Sequence, residues 1–159
     1  MKIKTLEILN LKDRISNSKN KIKENKFNID NVITEFNNSI MNKDFQLEKS
    51  LNNLKKELKN AEDEINKIII VTIMTLNTYS EKNFDDIKKF HLNQDIKHLK
   101  KYQQEIKEKI SKTTETQTDN LKLYNKLKHI ELNKNETKSI KENIDLIEEK
   151  FNNIISGIE

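Results

Sequence analysis

His91, Asp95 and His98 stand four and three residues apart, a spacing that places two imidazoles and a carboxylate on one face of a helix. Such a donor set is competent for a first-row divalent metal. Lys97, Lys100 and Lys101 crowd it, however, the chain has no cysteine, and the third histidine, His129, lies far away in sequence. A solvated helix face is therefore the expectation, with no resident metal or cofactor. Carboxylates cluster at Glu62-Asp63-Glu64, Asp85-Asp86 and Glu148-Glu149. General acid and base work needs two such groups in a concave, partly desolvated pocket that pulls their proton affinities apart. A helix start for Asp85-Asp86 and solvent-facing flanks for the other two are the simpler uses.

Lysines gather at Lys19, Lys21, Lys23 and Lys26, at Lys55-Lys56 and at Lys97, Lys100 and Lys101. Ammonium groups can meet phosphate or acidic lipid as point charges. Acidic neighbours dilute all three clusters, and side-chain pairs one helical turn apart, such as Glu105 and Lys109, are the expected use. The chain carries 30 basic and 26 acidic groups, a net charge of +4. A dedicated nucleic-acid binder shows a stripe of one sign, and Arg14 is the only arginine, so the bidentate forks that read guanine edges are missing. No sequence-specific nucleic-acid recognition is expected. With a single glycine, Gly157, the chain also lacks the backbone for a Gly-rich phosphate loop or a nucleophile elbow, which argues against an enzyme.

The elements that hold these residues are helices. Among 159 residues there is no proline, cysteine or tryptophan, so the usual punctuators of turns and hairpins are absent. Lysine, asparagine and isoleucine dominate, the amino acids of A/T-rich codons. From Leu47 the chain repeats apolar or small residues at steps of four and three through Leu51, Leu54, Leu58, Ala61, Ile65, Ile68, Thr72, Thr75 and Tyr79. That is the rhythm of a coiled-coil seam. A second seam runs through Ile140, Ile144, Ile147, Phe151, Ile154 and Ile158, and a third places Ile8, Ile15, Ile22, Ile29 and Phe36 at intervals of seven, with Ile33 and Ile40 in alternate slots. Hydrophobic residues make up 33% and charged residues 35%, which fits narrow seams with solvated flanks.

Phase breaks divide the chain. The first falls at Met41 to Phe45, where Asn42 and Asp44 are possible caps and a hairpin is preferred over one long bent helix. The second is the polar run Asn77 to Asn83, with Asn83 as N-cap ahead of Asp85 and Asp86. A third helix then turns Phe84, Ile87, Phe90, Leu92, Ile96, Leu99, Ile106 and Ile110 inward and ends at the threonine run Thr113 to Thr118, since threonine loses side-chain freedom in a helix. Thr118 or Asp119 caps the last helix, whose stripe passes from Leu123, Leu127 and Ile130 through polar Asn133 and Thr137 to Ile140. Asn133 is either a buried register-setting residue or part of a local break at Asn133-Lys134-Asn135. Helices over about 2–41, 44–78, 84–112 and 119–158 follow, each about 45–60 Å long at the upper end of the range. The expected fold is all-α, one domain over 1–159, an elongated antiparallel bundle of four helices, with a spectrin-like three-helix bundle as the alternative.

The longest apolar stretch, Ile68 to Leu76, is interrupted by Thr72 and Thr75 and is far short of the ~20 residues that span a bilayer. It reads as a helix buried on more than one face, and no transmembrane segment is expected. The first residues, Met1 to Glu7, carry charges without the apolar core of a secretion signal.

The strings Ala61-Glu62-Asp63-Glu64-Ile65-Asn66-Lys67-Ile68 and Asn83-Phe84-Asp85-Asp86-Ile87-Lys88-Lys89-Phe90 resemble helical stretches of Plasmodium reticulocyte-binding and related merozoite proteins. The resemblance implies a rod segment that contacts a host or parasite protein, and it carries over no functional residue. Taken together, the sequence predicts a non-enzymatic helical module that presents long faces to a protein partner or to itself. The alternative is a lysine-mediated binder of nucleic acid or anionic membrane through the first and third helices.

Overall fold

The computed structural model describes residues 2–42, 46–127 and 134–158, with side chains over 7–42, 46–122 and 138–158. Four helices follow in order: α1 (Lys2–Met41), α2 (Leu47–Asn83), α3 (Asp86–Leu127) and α4 (Lys134–Ile158). Each is long because nothing inside it breaks the backbone ladder, and each buries one stripe. In α1 the stripe runs through Leu11, Ile15, Ile22, Ile29, Val32 and Phe36, and in α4 through Ile140, Ile144, Ile147, Phe151, Ile154 and Ile158. The four stripes meet in one apolar cluster.

Neighbouring helices are antiparallel. The Ser50 hydroxyl lies 3.2 Å from that of Ser39, Asn66 meets Gln103, the Asn143 amide reaches the Tyr102 carbonyl at 2.8 Å, and Lys26 pairs with Asp145. Helix α1 packs on α2 and α4, and α3 packs on the same two; α1 and α3 do not touch among the described residues. The arrangement is an up-down-up-down four-helix bundle, which excludes the three-helix alternative.

Beyond residue 78, four boundaries differ from the expected ones. Helix α2 continues through the polar run to Asn83, whose side-chain amide donates to the Tyr79 carbonyl at 3.1 Å. The N-cap of α3 is therefore Asp85 and not Asn83: the Asp85 carboxylate accepts the Lys88 amide at 2.8 Å, with Asp86 in the first turn, where the positive helix end favours it. Helix α3 does not stop at Lys112 but continues to Leu127. Thr113 and Gln117 are buried with Leu121 in its inner stripe, and the register set by Asn66 and Gln103 carries them alongside the first turns of α2. A few tenths of a kcal/mol of unfavourable propensity per threonine does not outweigh that packing. Residues 119–127 thus belong to α3, and α4 starts at Lys134. The alternative cap Asp44, the histidine His129 and Asn133 lie outside the described residues, as do the side chains of Leu123, Leu127, Ile130 and Thr137.

Within α2 the inner stripe drifts from the heptad rhythm. Leu47, Leu51, Leu54, Leu58, Ala61, Ile65, Ile68 and Thr72 are buried as expected, but beyond them Leu76 and Ser80 turn inward while Thr75 and Tyr79 sit at its edge. Leu54, Leu58, Ala61, Ile65, Ile69, Thr72, Leu76 and Ser80 repeat every eleven residues, about 3.67 per turn, close to the natural helical period. Ile65 lies at the centre of this stripe and is fully buried, with Ile68 nearly so. Replacing both with Asp, Ile65→Asp and Ile68→Asp, buries two unpaired carboxylates at several kcal/mol each, comparable to the whole stability of a small domain. The double variant is expected to lose its cooperative thermal transition by circular dichroism; a transition like the parent's would place these residues outside the core.

Candidate functional site

Helix α3 brings His91, Asp95 and His98 to the side that meets α4, and there they do different things. The His98 Nδ1 lies 2.8 Å from the Gln94 carbonyl, where its N–H donates, and its ring tilts over Tyr102. His91 sits edge-on to Phe90. Asp95 is half-buried and faces the Lys150 ammonium of α4 at 3.9 Å. Among the described residues, no three His, Cys, Asp or Glu side chains are placed to hold a metal ion. Burial holds the Asp95 carboxyl above the ordinary carboxylate range, opposed by the Lys150 charge and by His98 and His91.

The carboxylate clusters are likewise divided. Asp85 caps α3. Glu62 is buried at the edge of α2 and accepts Lys59 at 3.1 Å, while Asp63 accepts the same ammonium at 3.4 Å, and these two partners raise the Lys59 pKa. Glu148 has one buried oxygen without a hydrogen-bond partner, beside Lys26, whereas Glu149 is exposed. Of the lysine clusters, Lys26 is committed to Asp145, a hydrogen bond that raises its pKa, and Lys101 approaches Glu105 at 4.0 Å. Lys141 of α4 reaches back to Asp30 of α1.

The feature that sequence reading missed lies on the outside of α2. Residues 68–80 carry no charge in a chain that is 35% charged, and the sequence predicts that their apolar part, Ile68 to Leu76, is buried on more than one face. It is buried on one. Ile68, Ile69, Thr72, Ile73 and Leu76 face the core, while Ile70, Val71 and Met74 remain 46%, 53% and 64% exposed. Next to them a groove of about 800 Å³ separates α2 from the start of α1, lined by Met74, Thr75, Thr78 and Tyr79 on one side and by Glu7, Asn10 and Arg14 on the other. Burial first, and then the Glu7 charge, raise the Tyr79 pKa. Ile87 and Phe90, expected inside α3, are also exposed, at 70% and 60%, because the inner stripe of α3 begins at Leu92; only Phe84 folds inward, edge-on to Tyr79 at 5.5 Å. Among the described residues no helix is long and apolar enough to cross a membrane. The signal for the α2 face was present as the charge-free run, but periodicity cannot separate a face covered by the chain's own helices from one left outside.

Asp95 provides a test of the α3–α4 contact. Its folded pKa is raised above an unfolded value of about 3.9, so the stabilisation it gives is full below that pH and is lost as pH rises through the folded value. In denaturant titrations the wild type is expected to lose stability relative to Asp95→Asn as pH rises from about 4 through the folded value. A wild type that gains on the variant over that range would mean that the Lys150 pair dominates over burial.

No protein-family model matches the chain, and neither curated proteins nor solved structures give a match. Fold and surface carry the functional reading by themselves.

Proposed function

We propose that this chain is a non-enzymatic helical interaction module, and that the outer face of α2 is the surface it presents to a protein partner or to a second copy. The observation that carries the reading is the exposure of Ile70, Val71 and Met74 inside a charge-free stretch, in a bundle whose four inner stripes already bury one another. Exposed apolar side chains scattered singly are ordinary; three on one ridge, continuous with a groove, form a surface of the kind that partner helices cover.

The lysine-mediated alternative has less support. Its candidate residues lie on α1 and α3, which are diagonal in the bundle and make no contact among the described residues. Two faces so placed do not combine into one basic track, and Lys26 is already engaged by Asp145.

A photo-crosslinking residue at position 71 tests the reading in the cells that produce the chain, with Gln104 on the exposed side of α3 as the control position. Protein adducts, to the chain itself or to another protein, are expected from position 71 and not from position 104. Absence of any adduct at position 71 overturns the reading. Binding to duplex DNA or to acidic vesicles that is strong at low salt and collapses by ~0.2 M would transfer support to the alternative, since each phosphate contact releases a counterion.

A further inference from the structure

The exposed row of α2 has a symmetry of its own. Lys67, Val71, Met74, Thr78 and Glu81 follow one another at steps of four, three, four and three, and all five side chains are exposed. The row thus keeps heptad spacing on the outer side of a helix whose inner seam faces the bundle, with Val71 and Met74 as its apolar members. Met74 is its midpoint: Lys67 lies seven residues before it and Glu81 seven after, with opposite charges at the two ends.

We infer that this row is a self-pairing face, on which a second copy of the chain docks its own α2 antiparallel about a two-fold axis through Met74. The inference rests on the reading of the α2 face as an interaction surface and names its occupant. A two-fold contact is self-complementary, so each residue before the axis meets the one equally far beyond it. Met74 then meets Met74, Val71 meets Asn77, Ile70 meets Thr78, and Lys67 of each copy meets Glu81 of the other. Opposite charges therefore face each other twice, while the reverse, parallel pairing would set Lys67 against Lys67 and Glu81 against Glu81. The contact closes at that point, because α2 ends at Asn83.

Sedimentation equilibrium of the whole chain tests the pairing, with a dimer expected that dissociates on dilution through the micromolar range, as short helix-pair interfaces do. Met74→Glu is expected to give a monomer whose melting temperature equals that of the parent measured at concentrations below its dimer dissociation range, since the side chain is exposed. Lys67→Glu alone creates two like-charge contacts and is expected to weaken the dimer about tenfold, whereas Lys67→Glu combined with Glu81→Lys restores it to within about threefold. The chain has no cysteine, so Met74→Cys offers a single thiol on the axis and is expected to form a disulfide-linked dimer under mild oxidation, with Leu146→Cys as an exposed control that does not. A chain that stays monomeric to ~0.5 mM, or a dimer for which the double exchange is no better than the single one, overturns the inference. Foreign adducts from position 71 together with a monomeric chain would overturn the two-fold pairing alone and leave the interaction module standing.

Discussion

The bundle depends on α4 lying between α1 and α3. Those two helices do not touch among the described residues, so α1, α2 and α3 without α4 would be an open strip with one side of the α1 and α3 stripes exposed. α4 closes it. It is the shortest helix, at 25 residues, yet Ile140, Ile144, Ile147 and Phe151 have no exposed surface at all. Burying side chains of that size stabilises by about 1.5–3 kcal/mol each, before the entropy of ordering them is subtracted. Narrow stripes suffice in this chain because each helix needs to satisfy only two neighbours, which is how a sequence that is 33% hydrophobic forms a core.

Apolar stripes of near-uniform Ile and Leu do not by themselves choose among registers, and the polar contacts of α4 supply the choice. Toward α3, Asn143 is fully buried: its amide donates to the Tyr102 carbonyl, and its oxygen faces the Lys109 ammonium at 3.4 Å. Lys109 also reaches the Ser139 carbonyl. A slide of one helical turn would strand this buried amide, at about 1–3 kcal/mol. Toward α1 the chain exchanges charges reciprocally, Lys26 to Asp145 and Lys141 to Asp30. These pairs are partly exposed, so each adds at most about 1 kcal/mol, and their effect is on register more than on depth.

The legible part of the fold was the part written in apolar spacing. The stripe of Ile140, Ile144, Ile147, Phe151, Ile154 and Ile158, and the seam from Leu47 to Thr72, lie inside as their spacing predicts, because Ile and Leu every three or four residues fix which face of a helix is buried. The errors came where polar residues took apolar positions. The threonine run read as a helix end because propensity is a local quantity, whereas Thr113 and Gln117 are held in helix by what they pack against. Asn143 was passed over between Ile140 and Ile144, since an asparagine in a stripe announces itself only when its partner, the Tyr102 carbonyl, is known. Asp85 and Asn83 are equally good caps on paper, and the choice between them is made by where α2 ends. For the site, the charge-free run is visible in the sequence, but apolar spacing alone directs its outward half to the core.

The outward half follows from the period of the inner one. With buried positions recurring at about 3.67 residues per turn, the inner stripe of α2 keeps nearly to the helix axis and leaves the opposite side free to carry a pattern of its own. A solvated face would fill that side with lysine, glutamate and asparagine, as most of the outer surface of this chain does. At more than two-fifths exposed, Ile70, Val71 and Met74 stand outside the core cluster that holds the four helices together. Their apolar character is what the proposed interaction surface asks of this face, one that a second helix would cover. Methionine at the midpoint suits that role, because its unbranched thioether adapts to a facing side chain without a fixed rotamer.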